Sequence, residues 1–175
     1  MDVNWNETLR EQWTWHWDNQ LRARLDGLTD DEYFWSPVPG AWTVRPGEPG
    51  GIDFVFPEPA PPPFTTIAWR LGHVVVGVLA MRNAAHFGAP QVSYEKWTYA
   101  GTAAEAMSQV EEQLGVWLEG VRSLGEAGLA EPCGAKEPYP ELPMAALVLH
   151  IHRELIHHLS EVCLLRDLYV RGAGR

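Results

Sequence analysis

The chain has only two cysteines among 175 residues. Cys133 and Cys163 are too few for a disulfide framework, so the fold must rest on its hydrophobic core. Basic residues are scarce as well: 13 Lys and Arg face 23 Asp and Glu, giving a net charge of −10. No stretch of the chain clusters them. A nucleic-acid groove needs a basic surface to meet phosphates, so that class of partner is excluded. Long apolar runs are missing too. The longest, Val74 to Met81, falls far short of the ~20 residues of a membrane span, and no membrane partner is expected. Met1 to Glu7 lacks a positive segment leading into an apolar run, so no secretory signal is expected and the expected location is cytoplasmic. A serine nucleophile elbow, a phosphate-binding loop and a dinucleotide fingerprint are all absent. So are internal repeats and strand-like alternation bounded by hairpin turns.

What is present reads as helix. A hydrophobic content of 46% with 21% charged residues is that of a globular protein, and the length suits one domain spanning residues 1–175. Nine tryptophans need a substantial core or an apolar pocket to occupy. Trp13, Trp17, Leu21 and Leu25 repeat at spacing four and predict a first helix over about 5–26. Thr29-Asp30-Asp31-Glu32 is a capping-box pattern opening a short helical turn. From Ser36 to Pro63 the chain carries nine of its 14 prolines, which is loop, yet Trp42, Val44, Ile52 and Phe54 predict that it packs on the body.

A second helix is predicted from Thr65 or Thr66 to about Phe87, apolar on nearly every side and therefore central. A third runs over about 102–124, opened by Thr102-Ala103-Ala104-Glu105. The fourth runs over about 142–170. Four long helices with two long connections predict an all-α four-helix bundle, with a long Pro/Gly-rich loop between the first two.

The fourth helix carries the chemistry. Between His150 and Glu161 lie four of the seven histidines and two carboxylates. Side chains four apart share a helix face, so His150, Glu154 and His158 form one stripe with His157 and Glu161 at its edge. Imidazole and carboxylate donors suit a borderline divalent ion such as zinc. Metal sites in bundles are built across facing helices, which makes His73, midway along the second helix, the candidate third ligand. A lone histidine on an apolar helix is also often a hydrogen-bonded core residue, and the residues alone leave both roles open. His150, His157 and Glu161 are candidates for orienting the ligands or closing the site. His152 points roughly 200° away from Glu154. Cys133 has two readings, an inert loop thiol or a nucleophile paired with a histidine. Arg166-Asp167 reads as surface charge or a helix-end ion pair.

With Trp69-Arg70-Leu71-Gly72-His73-Val74 on the second helix and Arg153-Glu154-Leu155-Ile156-His157-His158 on the fourth, the chain resembles the DinB-like superfamily of metal-binding four-helix bundles. Many members use three histidines; Glu154 stands where one of them would be. In that it is similar to the mycothiol-dependent maleylpyruvate isomerases, whose triad is His, Glu, His. The resemblance implies His73, Glu154 and His158 as metal ligands, a homodimer, and thiol chemistry. In S-transferases of the superfamily, a low-molecular-weight thiol such as mycothiol attacks a small electrophile. The expected cofactor is zinc, or nickel or another divalent metal that accepts the same donors, with mycothiol as cosubstrate. Two other functions remain: a non-catalytic metal-binding protein of stress response or metal handling, and an interaction module whose histidines are structural.

Overall fold

The structure is a computed structural model that describes residues 3–47, 50–57 and 59–172. Met1, Asp2, Glu48, Pro49, Glu58 and residues 173–175, which fall within the leader, loop and single-domain readings, lie outside the described residues. The described residues form five helices and no strand. α1 is built from Trp5–His16, a π-helical turn Trp17–Leu21, and Arg22–Leu25. α2 is the short Asp30–Tyr33. α3 comprises Ile67–His73, a π-helical stretch Val74–Ala80, and Met81–His86. α4 covers Ala103–Ala130 and α5 Met144–Val170. The four long helices pack as the expected all-α bundle, α3 against both α4 and α5, and α1 against α4.

The caps follow the sequence closely. Thr29 and Glu32 form a complete capping box at α2. Thr66, not Thr65, caps α3 by accepting the Trp69 N–H. At α4 only half of the expected box forms. Thr102 accepts the Glu105 N–H, but the Glu105 carboxylate accepts from Gly101 instead of Thr102. α4 also breaks at Gly125, whose φ of 57° and ψ of −168° belong to a region open essentially to glycine. The regular helix therefore ends at the predicted place, and one further turn follows it.

Burial explains the arrangement. Trp13, Trp117, Leu71, Leu79, Ile151, Leu155 and Leu159 are fully enclosed, so every long helix contributes a face to one core. Buried Asn6 ties α1 to α4 by donating to the Val121 carbonyl at 2.7 Å. Arg166 does more than sit on the surface. It pairs with buried Glu32 at 2.9 Å and donates to the carbonyls of Arg24 and Asp26, satisfying groups that the end of α1 leaves open.

The proline-rich segment is packed, as its apolar residues predict. Isolated bridges pair Trp42 with Thr65 and Val44 with Ile52, and the Asp53 carbonyl accepts the Trp69 indole N–H at 2.7 Å. Val44 and Ile52 are buried in the core. This loop thus lies on the first turns of α3, where the candidate site begins.

Candidate metal centre

His73 closes the first segment of α3, and the π stretch starts at the next residue. A π turn widens the helix and shifts every later side chain round the axis; such turns are rare and recur at functional sites. The packing of α3 on α5 sets His73 against His158, ring centroids 4.7 Å apart and planes at 80°. Glu154 Oε2 lies 3.6 Å from His158 Nε2. Among the described residues, Glu154, His157 and His158 offer ligand atoms that all lie within 4.8 Å of one another. His73 is not in that group and joins the cluster through its ring contact with His158.

Each of these two half-buried imidazoles is held at its Nδ1. His73 Nδ1 lies 2.7 Å from the hydroxyl of Tyr94, and His158 Nδ1 lies 3.1 Å from Glu161 Oε2. Glu161 is itself ion-paired to the half-buried Arg70 of α3. When each Nδ1–H donates to its oxygen partner, each Nε2 is left with a lone pair, the arrangement that orients a histidine for a metal. Burial also keeps the rings neutral. The His73 pKa is pushed down to about 3 by burial first, then by the neighbouring His158 and Arg70. His158 is lowered by burial as well, with Glu161 opposing. Two imidazoles this close cannot both carry a proton cheaply, and neutral imidazole is the metal-binding form. The donor set of neutral histidines and one carboxylate fits a divalent ion such as zinc.

The outer histidines differ from these. His157 stacks on His158 at 4.7 Å and contacts Glu161 Oε1 at 3.3 Å, but its side chain is 58% exposed against 13% for His158. It sits on the rim. His150 Nδ1 accepts from Arg153 Nη2 at 2.6 Å and lies 3.5 Å from Glu154 Oε1. His152 is turned into the core between Trp13 and Trp117. The Cys133 thiol donates to the Tyr139 carbonyl at 3.2 Å, so its near partner is a carbonyl and not an imidazole. Cys163 is buried, as a core residue should be.

The family profile of the DinB superfamily matches residues 12–162. The chain belongs to the DinB superfamily. No curated protein matches it, and neither does any solved structure.

Within this DinB-superfamily bundle, three residues that no metal-ligand pattern points to complete the surroundings of His73. Trp69 stacks on one face of its ring at 5.3 Å and 9°. Tyr94 lies nearly coplanar with it at its Nδ1 edge, centroids 6.2 Å apart and planes at 13°, and Phe54 from the proline-rich loop stacks on Tyr94 at 5.1 Å. The signal for Tyr94 was present but indirect. Gly77 interrupts a run of valines in mid-helix, where glycine costs stability, and a Cβ there would overlap the Tyr94 hydroxyl and press on His73 Nδ1. Burial raises the Tyr94 phenol to about 12, so it stays protonated at neutral pH.

Removing the Tyr94 hydroxyl is therefore expected to loosen His73 without unpacking the rings. Tyr94→Phe should lower metal affinity about 10- to 100-fold, the usual effect of losing such a partner, as read by competition with a chromogenic chelator. Gly77→Ala should show the same loss, because its methyl group displaces the same hydroxyl. A Tyr94→Phe protein with parental affinity would detach the hydroxyl from the site.

Proposed function

We propose that the protein binds zinc or a similar divalent metal through His73, Glu154 and His158, and that it is a low-molecular-weight-thiol-dependent S-transferase. The observation that carries the reading is the pair of imidazoles in ring contact, each with its Nδ1 engaged by an oxygen, with His158 Nε2 turned toward the Glu154 carboxylate. Three protein ligands leave a coordination position for an incoming group, the arrangement of a catalytic site. A bound divalent ion lowers the pKa of a coordinating thiol and holds it as thiolate at neutral pH.

The chain's own residues supply the rest. Trp69 covers one face of the His73 ring, and the Tyr94 hydroxyl fixes its plane from the Nδ1 edge. Arg70 and Glu161 hold His158 in one tautomer. In the transfer, the thiol's sulfur–carbon bond forms as the electrophile's bond to its leaving group breaks. The leaving group departs with the bonding electron pair, and the thiol proton passes to solvent. Mycothiol is the thiol that the family resemblance favours.

One observation favours a second reading. His157 falls in the same cluster as Glu154 and His158, and a fourth protein ligand would close the site, as in a metal-binding protein without turnover. Cobalt in place of zinc separates the two. On titration with N-acetylcysteine, an open site should develop a thiolate-to-cobalt charge-transfer band, whereas a closed site should not. Conjugation of mycothiol to monobromobimane should then depend on metal and persist below the free-thiol pKa of about 8.5. A rate that ignored the metal and tracked Cys133→Ser would overturn the transferase mechanism and restore Cys133 as nucleophile.

A further inference from the structure

A cavity of about 410 Å³ lies beside the centre, walled by α3, α5 and the segment that joins α4 to α5. Its volume falls within the range of small-molecule sites. Its lining combines apolar Tyr139, Leu142 and Leu147 with polar Arg82, His150 and Arg153. The polar lining residues reach the candidate centre from two helices. His150 and Arg153 lie 3.5 and 3.6 Å from Glu154 Oε1. On the α3 side the charge of Arg82 acts on Tyr94, the residue that holds His73.

The charges of the cavity are unevenly matched. Glu137 is buried and already shared between Arg82 Nε at 3.2 Å and His86 Nε2 at 2.9 Å. Two guanidiniums thus face one carboxylate among the lining residues, in a chain whose net charge is −10. Arg153 is the under-used cation. Its nearest partner is His150 Nδ1 at 2.6 Å, and the Glu154 carboxylate stands off at 3.6 Å. A planar guanidinium pairs best with a carboxylate, which it grips through two parallel hydrogen bonds.

We propose that this cavity binds the electrophilic substrate and selects a small molecule with an apolar body and a carboxylate, the carboxylate held by Arg153 and Arg82. The assignment of the occupant as the electrophile rests on the transferase reading; the binding itself does not. The apolar body lies on Tyr139 and Leu142, which are 72% and 48% exposed. The carboxylate end, held by Arg153, then lies beside Glu154 of the metal cluster.

Cys133 lines the same cavity, while Cys163 is buried, so alkylation of Cys133 reports occupancy. The experiment uses metal-free protein and iodoacetamide, with 3-phenylpropionate and its uncharged isostere 3-phenylpropionamide as probes. The acid should protect Cys133 from alkylation and the amide should not. Arg153→Gln should raise the half-protecting acid concentration about tenfold or more, the size of one charge-assisted hydrogen bond. Arg153 is exposed, so this variant should fold. Equal protection by acid and amide would overturn carboxylate selection, and no protection by either would overturn the site. Protection by S-methylglutathione but not by 3-phenylpropionate would assign the cavity to the thiol instead. Since no metal or thiol transfer enters the measurement, protection that survives a failed cobalt titration would leave the cavity standing without the transferase.

Discussion

Substituting His158 or Glu154 by alanine is expected to cost the protein its metal. Both contribute donor atoms to the one cluster on α5, and His158 also makes the ring contact with His73. Loss of a ligand should lower affinity by more than about 100-fold, beyond the 10- to 100-fold loss typical of an outer hydrogen-bond partner. His152→Ala should keep its metal, because that ring lies in the core between two tryptophans. Metal content after dialysis against chelators of graded strength is the measurement, with circular dichroism confirming that helix content is retained. His73→Ala should fall with His158→Ala, and His157→Ala should not. The reverse order would replace His73 by His157 in the ligand set and favour the closed, non-catalytic site.

Acid should destabilise the metal-free protein through His152. This ring is 1% exposed, and neither of its nitrogens has a hydrogen-bond partner among the described residues. Burial lowers its pKa from 6.5 to about 4. Between those values the unfolded chain takes up a proton that the folded one refuses, so stability falls as pH drops through the window. The loss amounts to about 3 kcal/mol across it, and below about pH 4 this residue adds no more. His73 contributes with the same sign, since its folded pKa is also depressed. His152→Leu should remove the His152 share of the slope. At pH 7 it should be at least as stable as the parent, since an unsatisfied buried polar group costs about 1–3 kcal/mol. Urea denaturation at several pH values reads both effects. Parallel pH profiles for parent and variant would mean that His152 finds a partner or a proton in the fold.

The bundle was legible because its signals are local. Spacing-four apolar residues marked α1, the capping patterns marked α2 and α4, and the gathering of histidines four apart on α5 needed only helical geometry. The part of the site that was not legible depends on contacts between distant segments. Tyr94 lies in the connection after α3, and nothing in its neighbourhood announces that it will meet His73. Arg70 was visible within a motif, but its ion pair with Glu161 spans 91 residues. The π stretch Val74–Ala80 was hidden too. A uniformly apolar helix reads the same in α or π register, because period is inferred from the contrast between apolar and polar positions. His152 shows the converse: its angular offset from Glu154 was readable, and its place between Trp13 and Trp117 was not.

The chain of rings that runs Phe54, Tyr94, His73, Trp69 has a consequence for how such a site can change over evolutionary time. The candidate ligands sit on two core helices, where most substitutions disturb packing. Two of the rings that set the orientation of His73, by contrast, come from connections outside the bundle helices, and Phe54 belongs to a segment rich in proline. Connecting segments tolerate substitution, insertion and deletion far better than core helices do. The loop can therefore tilt the imidazole, open or shut the approach to it, or alter which substrates reach it, while the helices and their donor atoms stay fixed. A bundle organised in this way can acquire a new specificity by rewriting its periphery alone.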